Sequence, residues 1–138
     1  SDTGAEIFYG RKAGVANVTK AAALHQWFNQ FLPFYPASSV PDDVVFPYGT
    51  YELITSAWEE GEVALTVNLW YYTESESIPN AKAEEIAKAI GLGGIQVICD
   101  DGVIWIKKGN PWCQSLQDSE DSRIKRRYLN VTLEYNTF

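Results

Sequence analysis

Residues 48–73 read YGTYELITSAWEEGEVALTVNLWYYT, and the period of two in this stretch decides the fold class. Val63, Leu65, Val67, Leu69 and Tyr71 fall on one side of an extended chain, because successive side chains of a strand point to opposite faces. The spacing predicts strands over 48–56 and 62–73, joined into a hairpin at the acidic turn Glu59-Glu60-Gly61. The alternate positions Ala64, Thr66, Asn68, Trp70 and Tyr72 are neither cleanly polar nor cleanly apolar. An antiparallel sheet with one solvated side does not require that mixture, so a partner surface over this face is an expectation.

N-terminal to the hairpin, Ala21, Leu24, Phe28 and Phe31 recur at helical spacing. Asn17 is a candidate cap and Pro33 a stop, which predicts a helix from 17 to about 32. Residues 1–16 are small, polar and charged without sustained periodicity, and are expected to form a flexible arm that orders only against something else, such as another subunit. Pro36, Pro41 and Pro47 punctuate a loop containing Asp42 and Asp43. C-terminal to the hairpin, Thr73 to Asn80 is a polar connection. A second helix is predicted from about 80 to 90, with Ala83, Ile86, Ala87 and Ile90 as its apolar stripe and Gly91 as its C-terminal cap.

Asp101-Gly102 between 95–100 and 103–108 is a strong hairpin signal, and Gly109-Asn110-Pro111 ends that strand. After a loop from Trp112 to Ser122, residues 123–135 alternate again. Lys125, Arg127, Leu129, Val131, Leu133 and Tyr135 share one register, and Ile124, Arg126, Tyr128, Asn130, Thr132 and Glu134 the other. The order helix, two strands, helix, three strands describes an α+β domain over 17–138. Its expected form is a two-layer sandwich, a mostly antiparallel sheet of about five strands with two helices packed on it.

The 138 residues suit one domain, and 46% apolar with 14% aromatic residues excludes a disordered or low-complexity chain. A net charge of -7 repels a polyphosphate backbone, so nucleic acid is not an expected tight ligand. No apolar run reaches the roughly 18 residues of a membrane span, and residues 1–10 lack the pattern of a signal peptide, so a soluble, non-exported protein is expected. Cys99 and Cys113 have no zinc-ligand or redox-motif spacing and are read as reduced thiols.

The motifs that carry catalysis are absent from the sequence. His25 is the lone histidine, with no serine or cysteine beside it, and is read as a satisfied or surface helix residue. The acidic pairs Asp42-Asp43, Glu59-Glu60, Glu84-Glu85 and Asp100-Asp101 lie in predicted turns or on a helix face, where solvation explains them. Gly91-Leu92-Gly93-Gly94 leaves a helix and opens a strand, the reverse of a phosphate-binding loop. The chain is therefore read as a non-enzyme without cofactor or metal.

Charge is unevenly distributed. Arg123, Lys125, Arg126 and Arg127 place four of the eleven basic residues in five positions, directly after Asp118-Ser119-Glu120-Asp121. One account is a local salt bridge between an acidic loop and a basic strand start, worth little if exposed. The other is complementarity between copies, in which one subunit's basic cluster meets a neighbour's acidic turn and a head-to-tail contact closes into a ring. Trp58, Trp70, Tyr72 and Trp112 stand in loops or on the mixed strand face. They serve equally as padding of a thin core or as interface anchors. Candidate subunit or tail contacts are thus Asp118, Glu120, Asp121, Arg123, Lys125, Arg126, Arg127, Trp70, Tyr72 and Trp112.

A resemblance joins these segments. Val40-Pro41-Asp42-Asp43, Phe46-Pro47-Tyr48 with Tyr51, Leu65 to Trp70, Asp100-Asp101-Gly102 with Trp105-Ile106, and Gly109-Asn110-Pro111-Trp112 with Gln114 belong to one pattern. With Asp121, Ile124, Lys125, Arg126 and Tyr128 to Glu134, it resembles the tail terminator proteins of long-tailed bacteriophages and prophages, tail-completion and minor capsid proteins among them. It covers roughly residues 17–135. What it implies is a small α+β structural protein of the virion tail or neck, assembled in the host cytoplasm. Such a subunit forms a hexameric ring on the tail tube protein, stops tube polymerisation, and offers a surface to a head-tail connector protein while DNA passes through without being tightly bound. Head completion and connector adaptor proteins are built from similar small subunits.

Overall fold

In the computed structural model, residues 6–9, 19–53, 61–100, 102–117 and 120–138 are described. The chain runs through β1 (Glu6–Tyr9), α1 (Lys20–Asn29), β2 (Phe34–Pro36), a 3-10 turn at Ala37–Ser39, β3 (Tyr48–Leu53), β4 (Gly61–Tyr72), α2 (Ser77–Ile90), β5 (Ile95–Cys99), β6 (Gly102–Leu116) and β7 (Ile124–Thr137). The seven strands form one sheet in the order β1-β5-β6-β7-β4-β3-β2. Five of them, β5-β6-β7-β4-β3, pair antiparallel as the sequence predicts.

The expected five-stranded layer is corrected in two ways. A short strand is added in parallel at each edge, β1 on β5 and β2 on β3. The sheet is also curled into a half-barrel rather than lying as the flat layer of a sandwich, the shape to which accumulated strand twist leads. β1 falls inside the segment expected to be an arm; the rest of 1–16, together with Asn17, Trp58 and Glu59-Glu60, lies outside the described residues. No helix among the described residues is long and apolar enough to cross a membrane.

Alternation along β4 sets the core. Val63, Leu65, Val67, Leu69 and Tyr71 are all buried, and they join Val97, Ile104, Ile106, Leu129, Val131, Leu133 and Tyr135 in a single cluster with residues of both helices. Fully burying one such aliphatic side chain contributes about 1.5–3 kcal/mol, so this one face outweighs any other feature of the chain.

α1 begins where the Thr19 hydroxyl accepts a hydrogen bond from the Ala22 amide at 3.1 Å, a side-chain cap that satisfies an otherwise orphan donor. It ends as the Asn29 side chain accepts from the Phe34 amide at 2.9 Å and turns the chain into β2. Its buried residues are Ala23, Leu24, Trp27 and Phe28, while Ala21 is exposed. The predicted stripe is therefore rotated, because Trp27 points inward and stacks edge-on to Phe28 and Phe31 at 4.9 and 5.0 Å.

α2 starts three residues earlier than its stripe implied. Pro79 sits in its first turn, where no intrahelical N–H is needed. Ala83, Ile86, Ala87 and Ile90 are buried as expected, and Gly91, at φ +80°, caps the helix with its amide on Ala87 O at 2.9 Å.

Two further boundaries move. Cys99 pairs with Gly102, so the β5–β6 connection lies one residue earlier than the Asp101-Gly102 signal suggested. Strand β6 does not stop at Gly109-Asn110-Pro111 but bulges there, the register on β7 jumping from Lys108↔Val131 to Cys113↔Leu129. Proline is tolerated at such a bulge, and Asn130 Nδ2 staples it by donating to Pro111 O at 2.8 Å. The predicted loop from Trp112 is thereby half absorbed into a long inner strand.

Candidate functional site

The alternate positions of the long strands make a second sheet face, and among the described residues neither helix contributes to it. Register brings the sequence-selected aromatic and basic residues together there. Tyr48 on β3 pairs with Trp70 on β4, and Trp70 with Arg126 on β7. Tyr48 and Trp70 lie nearly parallel, at 15° with centroids 6.3 Å apart, while the Arg126 guanidinium stands 5.1 Å from the indole centroid.

Polar groups fix this row. Trp70 Nε1 donates to Thr50 Oγ1 at 3.2 Å, and Arg126 Nε donates to Asn68 Oδ1 at 2.8 Å. Thr50 and Asn68 are both buried, so the indole edge and the guanidinium are held by groups that water does not reach freely. Phe46 extends the cluster to Tyr48 and Tyr72 at 5.5 and 5.9 Å, and Tyr35 approaches Tyr48 at 6.2 Å. Arg123 lies 4.9 Å over the Tyr72 ring. Tyr72 is 46% exposed and Val45, next to Phe46 in the chain, 75% exposed, so the patch presents aromatic and aliphatic surface to solvent. Burial raises the Tyr48 hydroxyl above the ordinary tyrosine range and keeps it neutral.

The other candidates go elsewhere. Arg127 points to the opposite face of β7 and is only 2% exposed. Its Nε donates to Asn80 Oδ1 at 2.8 Å, its Nη1 to Ser115 Oγ at 3.1 Å and its Nη2 to Glu76 Oε1 at 2.6 Å. The reading of Arg127 as a subunit contact is therefore corrected: the residue ties the start of α2 to the sheet from within. Lys125 shares that register, donating to Ser122 O and lying 3.8 Å from Glu76 Oε2. The Arg127 hydrogen bond outweighs the opposing effect of desolvation and holds the Glu76 carboxyl below the ordinary glutamate range.

Asp121 accepts from the Arg123 amide at 3.0 Å and from its Nε at 3.2 Å. The backbone bond is the larger cause of a lowered Asp121 carboxyl, followed by the side-chain bond. This is the local ion pair that the sequence offered as one account of the charge cluster, and being exposed it adds little stability. Glu120 is exposed; Asp118 lies outside the described residues. Trp112 turns to α2, where its Nε1 donates to Ala83 O at 3.3 Å. With Glu84, Ala87, Leu92, Lys108 and Asn110 it walls an open groove.

Eight residues along β4 from Trp70, the same face ends in carboxylates. Glu62 pairs with Glu134, and Lys107 Nζ bridges them at 2.8 and 3.1 Å, its ammonium raised chiefly by the Glu62 hydrogen bond. At the strand rise this lies about 26 Å from the Arg126 row.

Sequence reasoning missed Tyr35, Phe46, Tyr48, Thr50 and Asn68. Asn68 was legible as a polar residue on the mixed strand face, but its pairing with a guanidinium, and that of Thr50 with an indole, depends on a register between strands that no single segment encodes. Among the described residues no group of three or more His, Cys, Asp or Glu side chains is placed to hold a metal ion. His25 Nδ1 is 3.0 Å from the Tyr51 hydroxyl, as a satisfied histidine would be. The sequence matches no protein-family model, and no curated protein is significantly similar to it.

Proposed function

We propose that this chain is the structural subunit of a self-assembling ring, of the kind that caps a bacteriophage tail tube, ends its polymerisation and gives the head a surface to join. The observation that carries the reading is the Tyr48, Trp70 and Arg126 row, extended by Phe46, Tyr72 and Arg123 on a sheet face that the helices leave unpacked. Trp, Tyr and Arg are the residue types that dominate protein-protein hot spots. On a protein of net charge -7, a pair of arginines within an aromatic patch favours an acidic partner surface. A second copy supplies one, since the far end of the same face carries Glu62 and Glu134, whose two carboxylates share a single ammonium, that of Lys107, and keep one negative charge in excess. The resemblance of residues 17–135 to tail terminators names the assembly that such a contact serves.

Under this reading the subunit belongs to the virion tail or neck, and the excess of carboxylates leaves a bore that DNA passes without being gripped. Light scattering with and without tail tubes tests it. A ring mass, or tubes whose growth stops on addition of the protein, is the expected result. A monomer at high concentration together with unaltered tube growth overturns it. Rings that bind heads but not tube ends point instead to a head completion or connector adaptor protein.

A second reading, a small-molecule-binding domain, draws on the groove beside Trp112, where Lys107, Lys108 and Glu84 flank an indole wall. Saturable quenching of tryptophan fluorescence by a ligand, absent in Trp112→Phe, would favour it.

A further inference from the structure

We infer that β1 is an exchangeable strand, which completes the β5 edge of a second copy of this chain as readily as that of its own. The inference rests on the self-assembly proposed above and adds how neighbouring copies are joined.

The two edges of the sheet differ. At one, β2 is three residues long and ends in Pro36, which has no N–H to donate, before the chain enters a 3-10 turn. That edge is closed to further pairing. At the other, β5 carries Ile95, Val97 and Cys99 into the core, and its outer backbone groups are paired by β1 in parallel, from Glu6↔Ile95 to Tyr9↔Ile98. An edge strand of this kind is a template for any extended segment, and a four-residue strand covers it with few bonds.

The number of residues between β1 and α1 sets how far β1 can be carried. Tyr9 stands in the row Ile98, Val103 and Asn136, three strands across from β7, or about 15 Å at the usual strand spacing. At the start of α1 the Lys20 ammonium lies 4.1 Å from the ring centroid of Tyr135, the neighbour of Asn136 in β7. Residues 10–18 separate Tyr9 from Thr19, and such a link spans up to about 35 Å when extended. It can therefore deliver β1 to its own β5 or to that of a subunit alongside. The same hydrogen bonds form either way, so the choice is governed by the local concentration of β5 edges, which assembly raises.

The test places the register partners on different chains. Ile7→Cys and Gln96→Cys variants, carrying different mass tags, are refolded together, assembled and oxidised, and the linked peptides are mapped by mass spectrometry. A disulfide between residue 7 of one chain and residue 96 of the other is expected, with its yield rising with concentration to roughly half or more of the assembled protein. A chain carrying both cysteines that links only within itself at every concentration, or forms no 7–96 disulfide at all, overturns the inference. A chain starting at residue 11 should keep its far-ultraviolet circular dichroism and cooperative melt but lose assembly; unchanged assembly also overturns it. Rings with only internal 7–96 links reject strand exchange and leave the ring standing. Exchanged links in a species that neither closes a ring nor stops tube growth reject the tail role and leave strand exchange standing.

Discussion

Arg127 Nη2 lies 2.6 Å from Glu76 Oε1, with the arginine side chain 3% exposed and the glutamate 64% exposed. The ion pair is thus a plug: its cation is buried and its anion faces water. Arg127→Ala strands Asn80 and Ser115 and empties the volume of the side chain. We expect a loss of about 3 kcal/mol in unfolding free energy, read from urea midpoints at constant slope.

Arg126, one residue earlier, faces the aromatic patch and should behave in the opposite way. Arg126→Glu is expected to lower stability by only about 1 kcal/mol while abolishing self-association in sedimentation velocity. Wild-type association by this variant would remove Arg126 from the contact. Arg127→Glu is no substitute in this experiment, because it destroys the fold before it reports on any interface.

Acid should weaken the plug. The Glu76 carboxyl titrates lower in the folded chain than in the unfolded one, so the folded state binds fewer protons on the acid side. The stabilisation is present in full above the ordinary glutamate range and is lost as pH falls through the lowered folded value. Asp121 has the same sign. Urea midpoints measured from neutrality to about pH 3 should fall less steeply in Glu76→Gln than in the wild type.

Gly94 and Gly61 share a φ of +87° but differ in surroundings. A Cβ at Gly94 would meet Trp105 Nε1 at 2.5 Å and Ile106 O at 2.7 Å, whereas one at Gly61 meets nothing within 4 Å. Gly61→Ala should cost about 1 kcal/mol from backbone strain alone. Gly94→Ala should cost about 2 kcal/mol more, because backbone and indole must both shift, and its melting temperature should be the lower by several degrees.

Periodicity within a segment was the legible part of this fold. The buried side of β4 and the stripe of α2 follow from the sequence residue by residue, because one face of each element is covered and the other is not. Three things were not legible. β1 and β2 are too short to show a period and exist only because a longer strand lends them an edge. Strand β6 continues through Pro111 because Asn130, nineteen residues on in the chain, supplies a donor to the Pro111 carbonyl. Arg127 reads as one of four surface cations, yet alternation had placed it in the register of Leu129 and Val131, so the pattern pointed inward where its charge pointed outward. For the site, the residue types Trp70, Tyr72, Arg123 and Arg126 were visible, but their convergence with Phe46 and Tyr48 depends on β3, β4 and β7 lying side by side.

That β7 is at once the central strand and, among the described elements, the one that follows all the others in sequence bears on how the molecule comes into being. Until residues 124–137 are made, the β2-β3-β4 piece and the β5-β6 piece have no strand in common, and each shows an unfinished edge to the cell. The final strand acts as a keystone, inserted between two waiting halves rather than laid at the end of a row. Its partner strands begin at Gly61 and Gly102, and its Tyr135 ring takes the Lys20 ammonium, so its contacts are long-range ones; folding must wait on synthesis and then proceed slowly for a domain of this size. Nascent chains stalled before residue 124 should therefore be protease-sensitive and captured by chaperones, while those extended past residue 137 should become resistant in one step.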